Sequence, residues 1–243
     1  MILELDIGNS RAKWRLLNIA STGVSDVVES GVLNEYKWSE LEYMFGKVTH
    51  IRYASVAEKG FAEYLLSEQR VGIEHISQAK TSRYCAGVTN SYDEPTHLGV
   101  DRWLAVVAAF NKTDGGCCVI DCGSAITVDS VSRDGTHNGG YIVPGVSLLE
   151  RALLKATANI SLKHSDAATQ TGWGVNTEQA VRHGNLSMVT TWLNQLSEQC
   201  LSNGDQVYIT GGDAMLIAPW LNDRIQYVEQ LVFDGLAYVC EVS

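Results

Sequence analysis

A chain of 243 residues can form one medium domain or two small ones, with enough length to bury a real hydrophobic core. Its 45% apolar and 19% charged residues are ordinary for a globular protein, and no stretch approaches the roughly 18 unbroken apolar residues of a membrane helix. The formal charge is -10, from 18 basic and 28 acidic residues with the basic ones scattered, which argues against unspecific nucleic-acid binding because that requires several phosphates to be neutralised. The opening "MILELDIGNS" has no basic region followed by an apolar stretch and a small-residue cleavage site, so no secretory signal and a cytoplasmic location are expected.

In chain order, near-twofold periodicity and short turns predict strands at 2–7, 11–18 and 27–33. A short helix near 39–46, a strand at 49–56, a helix over about 58–70 and a short strand near 73–76 follow. "GVDRWLAVVAAF", 99–110, is expected to be a buried helix, with Asp101 in the first turn where the helix dipole favours an acid. The same grammar then restarts, with strands at 117–122, 125–132 and 140–143 and a helix over about 146–158. Residues 176–200 read as a long amphipathic helix capped by Asn176 with Gln179 three residues on. Its apolar face is expected to carry Ala180, Val181, Met188, Val189, Trp192, Leu193 and Leu196. "QVYITGGDAMLIAPWL" gives strand, Gly-Gly turn and helix, and a strand at 226–229 and a helix at 232–240 close the chain.

Two apolar strands end alike. "ILELDIGNS" places Asp6 two residues before Gly8, and "CVIDCGS" places Asp121 two residues before Gly123, each followed by a small hydroxyl, Ser10 or Ser124. One such turn is commonplace, but two copies at matching points of two βββ-led halves suggest an internal duplication divided as 1–112 and 113–243. The chemistry suits phosphate: glycine lets backbone N–H groups come close to phosphate oxygens, and carboxylates at strand ends direct cations or water. Competing signatures are missing, with no G-x-x-x-x-G-K-[ST], no complete dinucleotide turn, no G-x-S-x-G and no H-E-x-x-H. The six cysteines form no C-x-x-C pair and read as reduced, buried thiols rather than a disulfide framework or zinc site.

This α/β architecture resembles the duplicated actin-like ATPase fold, with two βββαβα-type halves and, in that superfamily, a nucleotide cleft between them. More closely, "DIGNSRAKW", "GVDRW", "DCGSAIT", "GGYIVPG" and "TGGDA" follow in the order seen in type III pantothenate kinases, across almost the whole chain. The resemblance implies ATP-dependent phosphorylation of pantothenate to 4'-phosphopantothenate, the first step of coenzyme A biosynthesis, with magnesium accompanying ATP. By that resemblance Asp6, Gly8, Asn9, Ser10 and Lys13 form the first phosphate loop, and Ser124, where relatives often carry threonine, contacts the nucleotide. Asp121 matches a ligand of a monovalent cation, potassium or ammonium. Asp101 matches the catalytic base, Tyr92, Gly99, Val100, Arg102 and Thr177 match contacts to pantothenate, and the partner chain of a homodimer covers the pocket.

Each residue also has a plainer reading. Asp101 is a good helix-start acid, Thr177 a capping residue, Tyr92 a core or rim aromatic and Lys13 a solvated hairpin residue. Two other functions share the fold: an ATP-binding regulatory protein of the transcription-accessory type, and a kinase for another small alcohol or sugar or a polyphosphate-cleaving relative. Intact Asp6, Asp101, Arg102 and Asp121 favour the enzyme, and the "GVDR" stretch with Tyr92 favours pantothenate. Neither nucleic acid nor membrane is expected as a partner.

Overall fold

The computed structural model describes residues 1–19, 26–57, 60–67, 72–156 and 170–240. The expected helices over 58–70 and 146–158 extend past these limits at one or both ends. Twelve strands and seven α-helices are described. In the first half β1 (Ile2–Ile7), β2 (Ala12–Asn18) and β3 (Asp26–Leu33) form an antiparallel meander, followed by α1 (Glu42–Phe45), β4 (His50–Ser55), α2 (Phe61–Ser67) and β5 (His75–Gln78). The short strands β6 (Tyr84–Cys85) and β7 (Val88–Thr89) precede α3 (Val100–Phe110). The second half repeats the plan with the meander β8 (Cys117–Cys122), β9 (Ala125–Val131) and β10 (His137–Pro144). Then come α4 (Val146–Ala156), α5 (Thr177–Ser202), β11 (Gln206–Thr210), α6 (Ala214–Ile217), β12 (Gln226–Tyr227) and α7 (Leu231–Val239).

The duplication is explicit in the sheets. One runs β3-β2-β1-β4-β5 and the other β10-β9-β8-β11-β12, so β1 and β8, the strands that carry the two acids, are both central. Each pairs antiparallel with its hairpin partner and parallel with the strand after the helical crossover. This explains the apolar run before each acid, interrupted in β1 only by Glu4: a central strand covered on both faces has no solvent side, so a polar residue is tolerated there only with buried partners, which Glu4 has in Arg15 and Arg52 of the neighbouring strands.

Two compact units result. One comprises Met1–Ala86, Tyr92–Ala108 and Leu231–Ser243, and the other Gly87–Ser91 and Ala109–Gln230. These units cut across a division at 112/113, because the C-terminal helix α7 packs with β1 and β4 of the first sheet.

The first unit's core joins Leu3, Leu5 and Ile7 of β1 to Trp14, Leu16, Trp38, Met44, Ile51 and Phe61. Trp14 lies across Gly31 on the neighbouring strand, where a Cβ would come within 2.7 Å of the indole. Helix α3 is buried from Arg102 to Ala109, as its composition predicts. Beside it Gly235 of α7 approaches the Leu104 carbonyl too closely for any side chain.

Helix α5 begins where the capping signal places it: Asn176 accepts from the Gln179 N–H at 2.9 Å, and the Gln179 side chain accepts from the Val175 N–H at 3.0 Å. Its buried face differs from expectation. Val181, Asn185, Leu186, Val189, Thr190, Leu193 and Ser197 point inward, whereas Ala180 and Met188 are exposed. Small polar residues in the stripe carry the inward face that apolar pattern alone assigned to their neighbours.

All six cysteines are free. Cys117, Cys118, Cys122 and Cys240 are buried, while Cys85 and Cys200 are only half-buried. Burial pushes the Cys117 thiol up to about 12, which keeps it protonated and inert.

Candidate active site

The first Asp-x-Gly turn is built by the β1–β2 hairpin. Asp6 is the penultimate residue of β1 and sits opposite Lys13 in the antiparallel register, so their side chains share one face of the sheet. The turn closes through the Gly8 N–H donating to the Arg11 carbonyl at 3.1 Å, and the Tyr36 hydroxyl donates to the Gly8 carbonyl at 2.7 Å. A Cβ on Gly8 would lie 3.3 Å from the Arg11 carbonyl oxygen, tighter than ordinary contact. Asn9 and Ser10 are exposed at the tip, and Asp6, Gly8 and Lys13 are half-buried.

Burial, and to a smaller extent Asp101, push the Asp6 carboxyl up to about 6 against the opposing pull of Lys13 and Arg11. The sequence therefore brings Asp6, Lys13 and Asp101 into one electrostatic neighbourhood. Because the folded value lies above the ordinary 3.8, this contribution to stability is lost as pH rises from about 4 to about 6, and the folded carboxyl holds a proton below about pH 6. We expect kcat/KM for ATP to fall about tenfold per pH unit below pH 6, with the limb set by Asp6; a flat profile down to pH 5 would contradict this.

The α3 start supplies the second group. Asp101 is the second residue of the helix, in the first turn where the helix dipole favours an acid, and accepts from the Arg102 N–H at 2.8 Å. A Cβ on Gly99 would meet the Asp101 carboxylate at 2.7 Å, so a side chain there would turn that carboxylate from its present position. Val100 is half-buried beside it. Arg102 is only 7% exposed, with Nη1 donating to the Tyr92 hydroxyl at 3.0 Å and its guanidinium 5.8 Å from that ring. Tyr92 is itself anchored: Arg83 donates from Nη1 to its carbonyl and from Nη2 to that of Asp93, both at 2.7 Å. Gly99, Val100, Asp101, Arg102 and Tyr92 thus come together.

Arg11, Tyr36 and Arg83 were not among the residues singled out in the sequence. Arg11 could have been noticed from its place in the loop. Tyr36 and Arg83 act through backbone carbonyls, a role that leaves no motif.

In the second unit, Asp121 sits on β8 opposite Thr127 of β9 and Thr210 of β11. The turn after it closes through the Gly123 N–H to the Ala125 carbonyl, and the Ser124 carbonyl accepts from the Gly145 N–H, each at 3.0 Å. Ser124 is exposed. The late Gly-Gly turn folds directly onto this loop. Gly211 has φ +101°, and a Cβ there would clash with the Cys122 carbonyl and the Asp121 carboxylate. Three glycines, at 123, 145 and 211, therefore keep side chains away from the Asp121 turn.

Thr177 is the first residue of α5 and is exposed. It lines a groove of about 560 Å³ with Leu153, Gly174, Val175, Val181 and Asn185. Trp173 and Val175 beside it are 100% and 88% exposed.

Known proteins match this organisation. The chain is 36% identical over 249 residues to the type III pantothenate kinase of Chromohalobacter salexigens, covering 97% of this chain and 86% of that one. Among solved structures it resembles a Campylobacter jejuni chain named as a Baf family transcriptional activator. The TM-score is 0.61 at 24% identity, over 96% of this chain and 94% of that one. It also resembles a Sinorhizobium meliloti protein named as a 2-dehydro-3-deoxygalactonokinase, with TM-score 0.54 at 13% identity over 98% and 97% of the two chains. At these identities the structural likeness speaks to fold, and it agrees with the duplicated actin-like ATPase architecture. The family model for type III pantothenate kinase matches residues 2–199, and with it the chain belongs to the type III pantothenate kinase family.

Proposed function

We propose that this protein transfers the γ-phosphoryl group of ATP to the primary hydroxyl of pantothenate, giving 4'-phosphopantothenate and ADP, the first step of coenzyme A biosynthesis. The observation that carries the reading is the Asp101–Arg102–Tyr92 arrangement at the start of α3, in the electrostatic neighbourhood of Asp6 and Lys13. It supplies a carboxylate to take a proton and cations to offset charge on a transferring phosphoryl group.

Asp101 orients the pantothenate hydroxyl and accepts its proton as the oxygen bonds to phosphorus and the bond to the ADP oxygen breaks. In a loose transition state the proton moves late, so an ordinary carboxylate, oriented by the Arg102 N–H, is basic enough. Arg102, fixed by the Tyr92 hydroxyl, and Lys13 offset charge on the equatorial oxygens. Gly8, Asn9 and Ser10 offer backbone and side-chain donors to phosphate, and Ser124 contacts the nucleotide in its own turn. Gly99 and Val100 shape the pantothenate end of the first unit, and Thr177 contacts pantothenate from the start of α5.

Magnesium prefers oxygen ligands, and the Asp6 carboxylate fits a magnesium-bound triphosphate, on which the ion would neutralise phosphate charge. The Asp121 carboxylate, beside which Gly211 leaves no room for a side chain, suits a larger monovalent cation, potassium or ammonium. Exposed Val175 in the Thr177 groove and exposed Trp173 next to it in sequence favour a homodimer that covers it. Sedimentation should then give twice the chain mass, and a monomer at assay concentration would contradict it. A cytoplasmic location fits a chain with no described helix long and apolar enough to cross a membrane.

The test is coupled ADP release from purified protein with ATP and magnesium, with and without pantothenate, in potassium and in sodium. Turnover that requires pantothenate and is faster in potassium is expected. ATP binding without pantothenate-dependent turnover would move the chain to a regulatory role or another alcohol.

A further inference from the structure

The first sheet carries a cluster of ligating side chains that the kinase reading leaves unused. His50 begins β4 and His75 begins β5, directly opposite each other in the parallel register, with ring centroids 5.0 Å apart. Glu74 precedes His75. One ligating atom from each of His50, Glu74 and His75 lies within 4.8 Å of the others. We propose that His50, Glu74 and His75 form a binding site for a divalent transition-metal ion of the zinc class, clamping the β4–β5 edge of the first sheet.

The backbone is fixed before an ion arrives. The Glu74 and His75 N–H groups both donate to the Thr49 carbonyl, at 2.8 and 3.3 Å. The Thr49 hydroxyl donates to the Met1 carbonyl at 3.4 Å and lies 2.8 Å from His50 Nδ1. In the tautomer with Nδ1 protonated, that hydroxyl accepts from Nδ1–H while donating to Met1, which leaves the Nε2 lone pair for a metal. A second hydrogen bond that sets tautomer and ring orientation is what metal-ligating histidines ordinarily have.

The donor set selects the ion. Two imidazoles and one carboxylate suit zinc and its neighbours rather than magnesium, and Glu74 and His75 are exposed, leaving a fourth position for water. The cluster is also separate from the phosphate loop. His50 is at the start of β4, while Asp6 pairs with Ala54 four residues on, roughly 13 Å away by strand rise. The ion would act on stability, since it binds the folded edge and not the unfolded chain.

The test uses full-length, fully reduced protein without nucleotide, titrated with zinc chloride and, separately, cobalt chloride. One ion per chain is expected, with affinity at least tenfold weaker in Glu74→Gln and in His75→Ala. Zinc at about a hundred times its Kd should raise the wild-type melting temperature by about 5 °C or more, and the ion-free variants should melt with the wild type. The cobalt complex should show visible bands without thiolate charge transfer. Zinc binding unchanged in both variants, a thiolate cobalt spectrum, or no binding at all would each overturn the site. Because ATP and pantothenate are absent, these outcomes are independent of whether the kinase reading stands.

Discussion

Asp101→Asn should lower kcat by about 10²–10⁴-fold with little change in melting temperature, as loss of a positioned proton acceptor does in comparable reactions. Asparagine keeps an oxygen to accept the Arg102 N–H and remains a favourable residue near a helix start, so the helix and the arginine stay in place. What disappears is the charge and the basicity. The KM for ATP should change little, because the phosphate loop is on the β1–β2 hairpin. Single-turnover kinetics with pantothenate separate the two, and a fall of less than about tenfold would return Asp101 to the plainer role of complementing the helix dipole.

Glu4→Gln should cost about 3–5 kcal/mol of stability, the scale for removing one member of a buried ionic network and leaving its partners charged. Glu4 is wholly buried at the centre of the first sheet, flanked by arginines on both neighbouring strands. Arg15 Nε donates to it at 2.6 Å and Arg52 Nη1 at 3.3 Å. Burial raises the Glu4 pKa, and Arg15 and then Arg52 oppose this. Arg15 also reaches Asp234 of α7 at 3.2 Å and lies 5.1 Å over the Phe233 ring. The network ties the first strands to the last helix. Urea unfolding checks it, and a loss under about 1 kcal/mol would mean that water or repacking relieves the arginines. Replacing Glu4 and Arg15 together by apolar residues should cost less than replacing Glu4 alone.

How much of this was legible beforehand depends on how local each cause is. The duplicated turn was legible because an apolar central strand, an acid and a glycine are adjacent in sequence. The α3 helix and the Asn176 cap were legible for the same reason, since helix ends are set by a few neighbouring residues. The Asp101–Arg102–Tyr92 contact spans only ten residues, and the motif order already placed those groups.

Long-range pairing was not legible. Arg15 and Asp234 are 219 positions apart, so nothing near either predicts that α7 returns to the first sheet. Glu4 sits in what reads as an apolar strand, and its burial depends on two arginines from different strands. Periodicity misassigned Met188 because the inward stripe of α5 is completed by Asn185, Thr190 and Ser197, whose polarity hides them from an apolar count. Thr190 is tolerated there because its hydroxyl donates to the Leu186 carbonyl one turn back, at 2.8 Å.

The most direct test of the central claim is the identity of the product. Protein, ATP with magnesium, potassium and pantothenate should be incubated together and the product read by phosphorus NMR and mass spectrometry. One phosphate ester on the primary hydroxyl of pantothenate, formed one-for-one with ADP and lost with Asp101→Asn, is the predicted result. Release of inorganic phosphate with pantothenate unchanged, or a phosphate ester that appears only when another alcohol is supplied, would contradict it.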